Sequence, residues 1–148
     1  MLIAFSASEK LGEVVPVQCE LTYVNHMPAG LGWTNHGDLS KVVTTWENRY
    51  SDSYLFAPED VGFRARYRMK DEHGTPIGRL HVSLQPAYRT TDGKPIFVLN
   101  MIGRGAPSPT DLTGVFQLFD REHDWIVRGF ASITTPNMHE IWRRSYGS

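Results

Sequence analysis

Across residues 13–26, Val15, Val17, Cys19, Leu21 and Tyr23 alternate with Gln18, Glu20 and Thr22, which is the two-residue period of a half-buried strand. The turn-rich segment MPAGLGWTNHGD follows, and then the period changes. Leu39, Val42, Val43, Trp46 and Tyr50 recur at helical steps and predict an amphipathic helix over 38–50. Three further strands are predicted at about 61–71, 77–86 and 95–103, the last nearly all apolar. The loops between them, 71–76 and 90–95, each hold Gly and end in Pro, the chemistry of tight antiparallel reversals. In the last third, Leu112, Val115, Phe116, Phe119, His123, Ile126, Val127 and Phe130 form one stripe at steps of three and four, predicting a long helix. Ser108 is placed as its N-cap, Pro109 at its first position and Asp111 at the positive end of its dipole. A second start signal, Thr135 before Pro136, opens a terminal helix with Met138, Ile141 and Trp142 on one side.

This order of elements predicts an α+β fold: an antiparallel sheet (strand, helix, three-strand meander) covered on one face by the long C-terminal helix, then a short terminal helix. Phe63, Ala65, Tyr67, Met69, Leu80, Val82 and Leu84 would lie under the long helix. Arg64, Arg66, Arg68, Arg79, His81 and Ser83 would then share the opposite face.

Composition narrows this picture. A chain of 148 residues, 41% hydrophobic and 21% charged, suits one globular domain over 1–148. A formal charge of −1 argues against a globally basic nucleic-acid binder, so no nucleic-acid partner is expected, although a local basic face can exist on a neutral protein. Cys19 is the only cysteine, which rules out an intrachain disulfide and suits a reducing cytoplasm. The start, MLIAFSASEK, lacks a basic signal-peptide region, and no apolar stretch is long enough to span a membrane.

The segments VQCELTYVNHM, GRLHVSLQPAYR and HDWIVRGFASITTPNMHEIWRR, taken together and in this order, resemble the C-terminal half of a sporadically distributed prokaryotic family of hypothetical proteins. The resemblance covers nearly the whole chain and implies an additional N-terminal half ahead of Met1. It implies no particular activity.

Several short patterns suggest chemistry. HEIWR, from His139 to Arg143, begins like a zinc-protease helix, but Arg143 stands where the second ligand would be, so no metal or other cofactor is expected. Cys19 shares a face with Val17, Leu21 and Tyr23 and reads as a small core residue more readily than as a nucleophile. His123 interrupts the apolar helix stripe, either as a general base or ligand contact in a pocket between helix and sheet, or as a core histidine with a buried partner. Asp124 points about a quarter-turn away and cannot orient it, so a carboxylate would have to come from another element, such as Glu20. Asn25 and His26, with Asn35 and His36, flank a loop containing Trp33 and could line a ligand mouth, although turn chemistry explains them more readily.

The cations of VGFRARYRMK face Arg79 and His81 across a turn, an arrangement that costs stability unless carboxylates such as Glu20 interleave, water screens it, or an anion binds. The expectation is therefore a binding or interaction module whose charged sheet face (Arg64, Arg66, Arg68, Arg79, His81) meets an anionic ligand or protein partner. The alternative is an enzyme or small-ligand protein with a pocket near His123. Apolar surface left by an absent N-terminal half would also favour a homo-oligomer.

Overall fold

The computed structural model describes residues 2–10 and 13–146, with side chains from 17 to 144. Five strands, β1 (Leu2–Lys10), β2 (Glu13–Pro28), β3 (Phe63–Lys70), β4 (Pro76–Tyr88) and β5 (Pro95–Gly105), form one sheet in the order β1-β2-β5-β4-β3. A 3-10 turn, His36–Asp38, leads into α1 (Leu39–Val42); α2 (Leu112–Ile133) and α3 (Pro136–Tyr146) follow β5. The architecture is α+β, with an antiparallel sheet covered on one face by the long helix α2 and followed by the short terminal helix. No helix among the described residues is long and apolar enough to cross a membrane.

β3, β4 and β5 are consecutive neighbours, as the meander requires. Their turns are built as the loop residues dictate. The Asp71 carboxylate accepts the N–H groups of His73 and Thr75, the Asp92 carboxylate accepts that of Lys94, and Gly74 and Gly93 take the positive φ of 80° and 70°. β1 is an additional strand that the alternation pattern did not predict; it pairs antiparallel with β2 from Leu2 opposite Thr22 to Lys10 opposite Glu13, slipping register between Ser6 and Ala7.

The chain gathers into two compact units. The first comprises the chain to Val24 with Arg64–Ser83 and Asn100–Arg128. In it, Cys19, Leu21, Leu80, Val82 and Met101 are buried. Part of α2 rests there on three glycines. A Cβ on Gly103 would come 2.9 Å from Glu122 Cβ, one on Gly105 3.0 Å from Leu118 Cδ1, and one on Gly78 2.8 Å from Trp125 Cη2. Bare backbone at these positions lets the helix approach closely.

The face of α2 differs from the predicted stripe. Val115, Leu118, Glu122, Trp125, Ile126 and Ile133 are buried, whereas Leu112, Phe116 and Val127 are exposed. His123 is also exposed, so it is not a core histidine; the adjacent Glu122 takes the inward position. The apolar stripe misled because the helix turns a carboxyl group toward the glycine-floored sheet, and polarity marks that position as outward. Asp111, not Ser108, caps the helix: its carboxylate accepts the Gly114 N–H at 2.9 Å and its carbonyl accepts the Val115 N–H at 3.0 Å.

The second unit comprises Asn25–Phe63, Leu84–Leu99 and the chain from Gly129. Its core includes Met27, Trp33, Leu39, Val42, Val43, Leu84, Phe97, Leu99, Ile133 and Met138. The predicted helix over 38–50 ends at Val42, because the following backbone finds other partners. Val43 bridges to Thr134, the Thr44 N–H donates to the Ile133 carbonyl, and the Thr44 hydroxyl donates to that of Ser132. Across the same joint the Thr135 hydroxyl donates to the Lys41 carbonyl, and its N–H to that of Val42. Residues 44–62 then return without regular structure over the 3-10 turn, where a Cβ on Gly37 would collide with the Pro58 carbonyl oxygen. α3 starts as predicted: the Thr135 carbonyl accepts the His139 N–H, and its hydroxyl the Met138 N–H at 3.3 Å.

Candidate functional site

Strand alternation carries one set of polar residues to the face of the sheet away from α2. In the first unit, β2 presents Gln18 and Glu20, β5 presents Arg104, β4 presents Arg79 and His81, and the outermost strand β3 presents Arg66 and Arg68. Together with Val17 and the turn residues Pro76 and Ile77, this face holds a groove of about 480 Å³. Arg66, Arg68, Arg79, His81 and Arg104 all line it. Arg64 is exposed on the same strand but lies outside that lining.

Arg104 was missing from the expected set. It closes a nearly continuous apolar run, PIFVLNMIGR, which draws attention as a core strand and not as a source of ligands. The signal available was its parity: with Phe97, Leu99 and Met101 inward, position 104 must point outward.

Glu20 is the carboxylate that interleaves, and it is already engaged. Its Oε1 accepts a hydrogen bond from Gln18 Nε2 at 2.8 Å and lies 2.7 Å from Arg104 Nε, an ion pair in which the buried Nε–H still lacks a hydrogen-bond acceptor. Among the described residues, no carboxylate lies within ion-pair distance of Arg64, Arg66, Arg68 or Arg79. His81, half-buried among these cations, has its pKa held below the ordinary imidazole value. Burial is the largest cause, followed by Arg104, Arg66 and Arg79, with Glu20 opposing them. The groove therefore combines unneutralised guanidinium groups, whose planar forks match paired oxygens of phosphate, sulfate or carboxylate, with an imidazole kept in its neutral form at pH 7.

A second chemical feature lies on the covered face. Glu122 is fully buried, neither carboxyl oxygen has a hydrogen-bond partner, and its pKa is pushed up to about 8, first by burial and then by the charge of Glu20. It is a neutral acid at pH 7. Cys19 is also fully buried, and its thiol is pushed up by burial and by Glu122, which places it as a protonated core group.

The loop-mouth residues do not form a mouth. Trp33 is buried against Phe97 at a centroid distance of 4.5 Å and beside His36 at 5.8 Å. Asn25 and His26 sit within β2 because the strand runs on to Pro28, with Asn25 half-buried and His26 exposed. His36 is the core histidine of the second unit: its Nε2 lies 2.9 Å from the Ile96 carbonyl, and its ring stands edge-on to Tyr88 and Phe97. His139, from the HEIWR segment, is held by the Thr134 hydroxyl at 2.6 Å. Among the described residues, no group of three or more His, Cys, Asp or Glu side chains is placed to hold a metal ion. No protein-family model, curated protein or solved structure matches the chain.

Proposed function

We propose that this is a binding protein whose open sheet face holds an anionic ligand in the groove lined by Arg66, Arg68, Arg79, His81 and Arg104. The observation that carries this reading is the charge balance of the groove: four arginines line it, and the neighbouring Glu20 pairs with only one of them. Like charges on neighbouring strands cost stability unless they are screened or neutralised, and a ligand anion supplies that neutralisation with directed hydrogen bonds. We assign the protein to the cytoplasm, since its one cysteine is buried and needs no oxidising compartment.

The test is a titration of the protein with inorganic pyrophosphate, followed by backbone amide chemical shifts. Shifts centred on β3, β4 and the end of β5, weakened by added salt and lost in Arg66→Ala/Arg79→Ala, are the expected result. Absence of any shift at roughly 10 mM anion, a concentration at which even millimolar affinities are well populated, would remove the reading.

A further inference from the structure

Three features constrain the anion further. The first is reach: Arg104, Arg79 and Arg66 stand on adjacent strands β5, β4 and β3, and strands lie about 4.8 Å apart, so the three side chains converge over a span of roughly 10 Å. A volume of about 480 Å³ falls within the range of small-molecule sites. The second is charge: Arg66, Arg68 and Arg79, the lining arginines without a carboxylate partner among the described residues, need more than one negative charge to balance them. The third is what the lining omits. It contains no Phe, Tyr or Trp, so stacking of a nucleic-acid base has no platform there.

His81 adds a response. Facing it are Arg66 from β3, Arg79 from its own strand, Arg104 from β5 and Glu20 from β2. The surrounding cations and partial burial by themselves disfavour a further positive charge on the ring. A multiply charged anion seated among the same guanidinium groups lowers the positive potential at the ring and favours the imidazolium. The protonated ring then offers a second N–H donor to the ligand.

We propose that the groove takes a compact ligand carrying two or more phosphate- or sulfate-type charges, and that its entry protonates His81. This inference rests on the anion-binding reading above and specifies both the ligand and the way pH governs it. By linkage, a proton taken up on binding means affinity rises as pH falls, with a limit of tenfold per pH unit for one proton.

The test uses two probes: pyrophosphate, and ethane-1,2-disulfonate, which keeps both charges throughout the working range. Calorimetric titrations of the disulfonate at pH 5.5 to 8, in buffers of different ionisation enthalpy, read affinity and proton uptake together. The expected result is affinity at least about threefold tighter at pH 6 than at pH 8, with net proton uptake, and a His81 ring resonance whose titration midpoint moves upward in the complex. In His81→Gln, with native circular dichroism, the affinity should be independent of pH. A flat affinity profile in the native protein, or the same slope in His81→Gln, overturns the coupling while leaving anion binding standing. Equal affinity for monovalent acetate overturns the requirement for multiple charges. Failure of both probes to bind removes this inference and the binding reading together. Binding of pyrophosphate with failure of the disulfonate overturns the sulfate-type half of the ligand class and the proton coupling tested with it.

Discussion

Gly103 of β5 lies directly beneath Glu122 of α2, so close that a Cβ on the glycine would sit 2.9 Å from Glu122 Cβ, 3.1 Å from its Cγ and 3.4 Å from its Cα. These are not the mobile tips of a side chain, so the helix itself would have to lift. Gly103→Ala is therefore expected to destabilise the fold by about 1–3 kcal/mol, the usual cost of overpacking a core. The midpoint of urea denaturation reads this directly, and an unchanged midpoint would contradict the close approach.

The carboxyl group above that glycine should tie stability to pH. Its ordinary value of 4.5 applies to the unfolded chain and a value of about 8 to the folded one. Between those limits the native state keeps a proton that the unfolded chain has released, so stability falls as pH rises and the loss is complete above pH 8. His81 acts with the opposite sign, since its lowered value removes stability as pH falls below about 6.5. The clean window is therefore pH 6.5 to 8. Denaturation across it should show declining stability in the native protein and little slope in Glu122→Gln. Equal slopes in the two proteins would exclude a buried acid at this position.

Glu20 couples the two faces of the sheet. Glu20→Gln removes the partner of Arg104, one contribution to the raised value of Glu122, and a carboxylate that supports protonation of His81. Anion affinity in the groove should rise about two- to fivefold, the worth of roughly 0.5–1 kcal/mol for a partly exposed ion pair. The His81 resonance in the ligand-free protein should titrate at lower pH. Weaker anion binding in this variant would show that Glu20 assists the ligand and does not compete with it.

His36 and His123 should exchange the roles that their sequence positions suggest. His36→Leu leaves the Ile96 carbonyl without its partner and is expected to cost about 1–3 kcal/mol, whereas His123→Leu, at an exposed position, should stay within about 0.5 kcal/mol of the native protein. Thermal unfolding of the two variants side by side distinguishes them. A larger loss from His123→Leu would reverse the assignment.

The legibility of this chain varied with the physics of each segment. The α+β class, the three-strand meander, its turns and the start of α3 all rest on local signals (alternation, Asp and Gly in reversals, Thr before Pro), and the structure uses those signals as local chemistry dictates. α1 fell short of its predicted length because Val43 and Thr44 find backbone partners at residues 132–134, nearly ninety positions away, and no local pattern records such a pairing. The facing of α2 failed for a different reason: an acid occupies an inward position above Gly103, while Leu112, Phe116 and Val127 remain in solvent. In the groove, the parity of Arg66, Arg68, Arg79 and His81 was readable from their own strands. Their convergence with Arg104 required the sheet order, which brings β5 beside β4.

The position of β3 at the rim of the sheet gives its cations a second consequence. An outermost strand leaves a row of backbone N–H and C=O groups ready to zip onto any other strand, including β3 of a second molecule. Arg64, Arg66 and Arg68 are exposed along that rim, with Lys70 at its end, so two such strands brought together would meet cation against cation. The charges proposed to hold a small anion would therefore also oppose edge-to-edge pairing of β3 with a second copy. Variants that neutralise them should lose colloidal stability as well as ligand, whereas a tightly held polyanion, by masking the same charges, would make the free rim more adhesive.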